Sequence, residues 1–159
     1  MADYRFKNPH PVKPCRTVLN GFTEANSQTF KAGQLVYFNS GVTACASDTW
    51  GTTDLMGIAL KDATNVTSGN IVIPIYPIYA GDLWEMPLTN GGTDTALSSF
   101  TKGLRYGLYV ASNVCYLDLA ETTTDLALLV GEADTTNRPY WGKVLFIPAT
   151  LYFQTGTGD

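Results

Sequence analysis

Histidine occurs once in this chain, and charged side chains make up only 15% of it, against roughly a quarter in an average soluble domain. The lone His10 lies between Pro9 and Pro11. A general base must be held by packing and by a hydrogen-bonding partner, and a position between prolines offers neither. Histidine-based nucleophilic chemistry is therefore not expected, and the chain reads as a non-enzyme. Three cysteines, Cys15, Cys45 and Cys115, form no CxxC pair. With one histidine they reach no recognisable zinc spacing. Reduced thiols acting as small buried hydrophobes fit that count. No Gly-rich phosphate loop, calcium loop or dinucleotide fingerprint occurs, so neither cofactor nor metal is expected. No apolar run approaches the roughly 20 residues of a membrane helix. Residues 1–16 are polar, so no secretory leader is expected there.

What is present is strand-forming. Val, Ile, Thr, Tyr, Phe and Trp recur in short clusters separated by Gly and Asn, the composition of short strands joined by turns. Strands are expected at 17–22, 35–39, 55–60, 70–79, 83–86, 106–111, 114–119, 126–131 and 143–153. Turn chemistry lies between several of them, at Asn39-Ser40-Gly41, Ala80-Gly81-Asp82 and Asn90-Gly91-Gly92. The last is expected to open a long mobile loop running to Ser99, and a helical turn is expected within 95–102. Pro74 and Pro77 suggest an edge strand or a bulge. The fold class is all-β: a small β-barrel or tulip-like body over 16–159, preceded by an extended arm over 1–15. Pro9, Pro11 and Pro14 bar that arm from helix, so it is ordered only by lying on something else. Residues 1–20 carry Arg5, Lys7, Lys13 and Arg16 against Asp3, an excess of three positive charges. The rest of the chain must then carry seven net negative ones to reach −4. An acidic body does not attract nucleic acid. The basic arm suits an acidic partner.

The body contains an internal echo. Lys31-Ala32-Gly33, a strand and Cys45 are matched 70 residues on by Thr101-Lys102-Gly103, a strand and Cys115. Asp62-Ala63-Thr64-Asn65 is matched by Asp134-Thr135-Thr136-Asn137, Gly57 by Gly131, and 71–74 by 144–148. Two similar β units, over 31–88 and 101–153, are the expectation, with Cys45 and Cys115 at equivalent positions. Asp82 and Glu85 flank Trp84, as a sugar-cleaving carboxylate pair would. Most other carboxylates sit in turns. Trp50, Trp84 and Trp141 suit either burial or stacking on sugars.

The order Lys31-Ala32-Gly33-Gln34-Leu35-Val36-Tyr37, Met56-Gly57-Ile58-Ala59-Leu60-Lys61-Asp62-Ala63, then 71–79 and Gly81-Asp82-Leu83-Trp84-Glu85 resembles the capsid decoration, or cement, proteins of tailed bacteriophages. The resemblance spans roughly 31–86 and rests on turn glycines and strand residues. It implies a β-barrel or β-tulip module that trimerises on the outside of the capsid, after synthesis in the host cytoplasm. The partner it implies is the major capsid protein, with no nucleic acid and no membrane. It implies a virion structural role: holding the expanded shell together. An N-terminal arm would reach a neighbouring subunit, which places Tyr4, Arg5, Phe6, Lys7 and Lys13 on the capsid, with Tyr4 and Phe6 as anchors. A carbohydrate- or receptor-binding β module of a phage fibre or tail, using the tryptophans, is the alternative. A hydrolase using Asp82 and Glu85 is the third reading.

Overall fold

A computed structural model describes residues 8–13, 16–47, 54–67, 70–122, 125–132, 140–148 and 151–153. Among the described residues the elements are strands, with a 3-10 turn at Leu97–Ser99, so the fold is all-β as expected. In chain order they are β1 (His10–Pro11), β2 (Leu35–Phe38), β3 (Val42–Ala44), β4 (Leu55–Ala59), β5 (Ile75–Pro77), β6 (Leu83–Asn90), β7 (Thr93–Asp94), β8 (Arg105–Ala111), β9 (Val114–Asp118), β10 (Ala127–Glu132) and β11 (Trp141–Phe146).

The later strands close on themselves. β6, β11, β10, β8 and β9 are neighbours in that order, and β9 returns to β6 by a parallel pairing of Leu88 with Leu117 and Thr89 with Asp118. Closure leaves no free edge in this five-stranded barrel. β1 and β7 add to β6 outside the closed path. The earlier strands form an antiparallel sheet in the order β3-β2-β4-β5, and residues 19–25 bridge its two edges. Leu19 and Ile75 exchange backbone hydrogen bonds of 2.9 Å. At the other edge Val42 donates to Thr23, and Ala25 donates to Val42.

The two units follow one plan. The order β3-β2-β4-β5 is matched by β9-β8-β10-β11. In the first unit Leu35 pairs with Ile58 and Val36 with Gly57; 70 residues on, Arg105 pairs with Leu128 and Tyr106 with Ala127. Gly33 donates to Ala59, and Gly103 to Leu129; Ala59 donates to Gln34, and Leu129 to Leu104. Ile58 pairs with Tyr76 as Leu128 pairs with Leu145. Even the closing contacts correspond: Glu24 bridges Val42 in parallel, as Leu88 does Leu117. The inward side chains match too. Phe30, Val36, Val42, Met56, Ala59 and Ile75 fill the first unit. Phe100, Tyr106, Leu117, Leu126, Leu129 and Val144 are buried in the cluster that fills the second.

β2, β4 and β5 are apolar on both faces. Val36, Met56 and Ile75 point into their own unit, whereas Leu35, Ile58 and Tyr76 belong to the apolar cluster of the second barrel. This is alternation with burial on both sides. It explains why β4 is buried at every position. At Gly57, φ is 153°, and an added Cβ would lie 2.0 Å from the carbonyl oxygen of Tyr76 on β5. Only glycine lets the two strands approach that closely there.

Several expectations are revised by local chemistry. The strand expected at 17–22 forms only isolated bridges, and 70–79 contracts to Ile75–Pro77 because Pro74 and Pro77 have no N–H to donate. β6 runs on through Pro87 to Asn90, and β3 and β7 were not foreseen. Asn90-Gly91-Gly92 does not open a mobile loop. Gly91 and Gly92, at φ 58° and 97°, make a two-residue turn between β6 and β7. The last expected strand, 143–153, ends at Phe146. Leu151 crosses to the first unit, where it bridges Leu55 and Tyr152 donates to the Leu55 carbonyl. Gly57 corresponds to Ala127 and not Gly131, and β11 corresponds to 75–77 and not 71–74. The 134–137 match lies outside the described residues.

The cysteines are not equivalent either. Cys45 donates its N–H to Leu35 at the base of its hairpin, whereas Cys115 pairs with Val110 near the tip of a longer one. Both thiols are nevertheless buried in the same cluster. Burial pushes the Cys115 thiol up to about 12, opposed by a backbone hydrogen bond from Leu35. Burial also raises Cys45 well above its ordinary value, and the neighbouring Cys115 adds to it. Both therefore stay protonated in the fold. This contribution to stability is complete below the ordinary thiol value of 9.0 and is lost as pH rises beyond it.

Two outcomes are expected. Gly57→Ala should lower unfolding stability by about 3 kcal/mol, from strain and overpacking, while Gly21→Ala, with no atom near its added Cβ, should change it by less than about 1 kcal/mol; urea unfolding checks both. Peptide mapping after iodoacetamide treatment at pH 8 should find Cys45 and Cys115 unlabelled in native protein and labelled once it is unfolded.

Candidate interaction surface

Residues 8–13 of the expected arm lie on the second barrel. Asn8 is fully buried. Its side-chain N–H donates to the Asn113 carbonyl at 2.9 Å, and its Oδ1 accepts the Cys115 N–H at 2.8 Å. Both contacts hold the β8–β9 hairpin, where Ser112 and Asn113 form a two-residue turn with positive φ. β1 then runs antiparallel to β6, pairing His10 with Glu85 and Pro11 with Trp84. Val12 donates to the Leu83 carbonyl at 2.9 Å. Proline is tolerated in such an edge strand because its missing N–H would face away from the ladder.

The view of His10 as unsupported is overturned. Its Nδ1 lies 3.2 Å from the Asn8 carbonyl and its Nε2 3.2 Å from Glu85 Oε2. Its ring packs 5.2 Å from that of Trp141. The side chain is thus held from three directions, and its neighbours make it a fastening between β1, β6 and β11. Asp82 takes a two-pronged contact from Arg16, at 2.9 and 2.6 Å. The guanidinium carbon of Arg16 sits 4.5 Å from the centroid of the Tyr79 ring. Arg16 is half exposed, so this planar match adds specificity more than energy. It ties the entry to the first unit onto the turn before β6.

Between these two fastenings lies a shallow groove lined by Pro11, Val12, Lys13, Tyr76, Asp82 and Leu83. Lys13 is exposed on its rim. Of the expected contact residues, Lys13 alone is placed; Tyr4, Arg5, Phe6 and Lys7 lie outside the described residues, as does Trp50. The two carboxylates beside Trp84 are both engaged: Asp82 by Arg16 and Glu85 by His10. Trp84 is buried, its ring edge-to-face with Phe146 and Tyr76, and so has no face open to a sugar. Trp141 is half buried against His10. Among the described residues no group of three His, Cys, Asp or Glu side chains could hold a metal ion.

Sequence reasoning missed Asn8 and His10 as fastenings. The usable signal was an Asn and a His alternating with prolines, a pattern that an edge strand accepts and a solvated tail does not require. No protein-family model, curated protein or solved structure matches the chain.

Asn8→Ala should cost about 2 kcal/mol in a urea titration, because it strands the buried Cys115 N–H without an acceptor. Exchange of that amide should accelerate more than exchange in β4.

Proposed function

We propose that this chain is a virion structural protein that binds the outer surface of a tailed-phage capsid and stabilises the expanded shell. The reading starts from the residue order over 31–86. The observation that carries it furthest is the fastening of residues 8–13. Asn8 is buried in the barrel, so the basic and aromatic stretch Tyr4-Arg5-Phe6-Lys7 departs from a fixed point on a rigid body. A segment whose point of attachment is fixed loses less freedom on meeting a partner than one whose attachment moves. Lys13 and the groove beside it extend the same surface. The mechanism is linkage: a protein that binds the expanded shell and not its precursor shifts the balance towards expansion. Repetition over a symmetric shell turns a modest contact into a stable coat. In this reading the protein associates as a homotrimer over the major capsid protein. The fibre or tail alternative leans on exposed tryptophans, and the burial of Trp84 weighs against it.

The test is co-sedimentation of the full chain with empty shells of its major capsid protein, in expanded and unexpanded forms. Saturable binding to expanded shells and a higher shell melting temperature are expected, and a chain lacking residues 1–7 should bind at least tenfold more weakly with its own fold intact. The deletion should stop at residue 7, because removing Asn8 and β1 would strip contacts from the barrel itself. Absence of binding to either form would overturn the reading.

A further inference from the structure

Asparagine followed by glycine occurs twice in the chain, at Asn20-Gly21 and Asn90-Gly91. At such a step the glycine nitrogen can attack the side-chain amide of the asparagine, because no Cβ shields it and the backbone turns freely. Both asparagines are exposed, yet the fold treats the two nitrogens differently. Gly91 donates its N–H to Asp118 Oδ1 at 2.9 Å, and that oxygen also accepts the Ala120 N–H at 3.0 Å. Asp118 is only 3% exposed, so its carboxylate is held in place. Asn90 itself pairs with Thr93 in the β6–β7 hairpin.

Asn20-Gly21 has no such hold. Leu19 and Ile75 exchange backbone hydrogen bonds, and the next contact along the same segment runs from the Ile73 N–H to the Phe22 carbonyl, at 2.9 Å. Three residues advance on one side for two on the other, which is a slip of one residue. Pro74 lies opposite the slip and has no N–H to offer it. Asn20 and Gly21 therefore stand out of the ladder, and among the described residues no acceptor meets the Gly21 N–H. The slip falls within residues 19–25, the segment that bridges the two edges of the first sheet and so closes it.

We propose that Asn20 is a site of spontaneous deamidation in the folded protein, and that Asp118 shields Asn90 from the same reaction. The Gly21 nitrogen bonds to the side-chain carbonyl carbon of Asn20. The amide nitrogen leaves as ammonia, taking the proton that Gly21 gives up, and a succinimide ring closes. Water then opens the ring. One opening leaves Asp; the other leaves isoaspartate, whose backbone runs through the former side-chain methylene and is one atom longer. Either product adds a negative charge to an acidic chain. Isoaspartate also lengthens the segment between its anchors at Leu19 and Phe22. At Gly91 the attack must first break the bond to Asp118, and the charge of that carboxylate opposes loss of the amide proton. The hairpin of the second barrel is thus protected where the closing segment of the first is not. The inference stands independently of the preceding functional reading.

The test is ageing of the full chain in mildly alkaline buffer, with and without urea, followed by peptide mass mapping and enzymatic methylation of isoaspartate. In folded protein Asn20 should convert at least about tenfold faster than Asn90, the factor expected when a hydrogen bond to a charged group must be lost. In urea, where both nitrogens are free, the two rates should converge. Gly21→Ala, whose added Cβ meets no atom within 4 Å, should fold, and its methyl group should slow conversion at residue 20 while Asn90 is unchanged. The urea midpoint of aged protein should fall as its isoaspartate content rises, and should hold steady in Gly21→Ala. Equal rates at the two steps in folded protein, or no conversion of Asn20 there while the unfolded chain converts, would overturn the proposal. A rate difference that persists in urea would place its cause in the neighbouring residues and overturn the role of Asp118. A midpoint unmoved by isoaspartate would overturn the consequence for barrel closure.

Discussion

The strands β2, β4 and β5 are buried on both sides, and the rest of the molecule is arranged around that requirement. Their inner side chains close the first unit, and their outer side chains cover the second. A sheet under this double demand cannot alternate apolar with polar residues. It is short, dense and intolerant, and at Gly57 it admits no side chain. The second unit carries no such burden. Its outer row keeps Arg105 and half-exposed leucines, and its β8–β9 hairpin is longer. That extra length supplies the edge to which Asn8 and Ser47 attach. Two copies of one plan have thus diverged where one of them became the floor of the other.

Charge is spent sparingly and locally. The ion pair of Arg16 with Asp82 and the contact of His10 with Glu85 stand at either side of the same groove, and each secures a segment that enters or leaves a barrel. Exposed pairs contribute little to stability. Their value here is positional: they fix where β1 lies and where the chain enters the first unit.

How much of this was legible in the sequence depended on range. The β8–β9 hairpin was clear because its turn, Ser112-Asn113, and its flanking alternation are local signals. The duplicated plan showed at Gly33 and Gly103, which both take positive φ. The true correspondence of the cysteines stayed hidden, because equal spacing in sequence does not survive a longer hairpin. The β-barrel body was expected and forms, but the pairing that closes it was not legible, since the parallel meeting of β6 and β9 depends on residues far apart. His10 was misjudged for the same reason: its partner Glu85 lies 75 residues away.

The first described strand, β1, pairs with β6 of the second unit, and Leu151, which follows β11, bridges Leu55 on β4 of the first. The halves are therefore laced across each other. During synthesis the first unit must wait, incomplete, until residues 151–153 emerge, while β1 waits for β6. Neither half can be released as a finished module before the other is made. The two units are therefore completed together: the first waits for residues that follow the second, and β1 waits for β6.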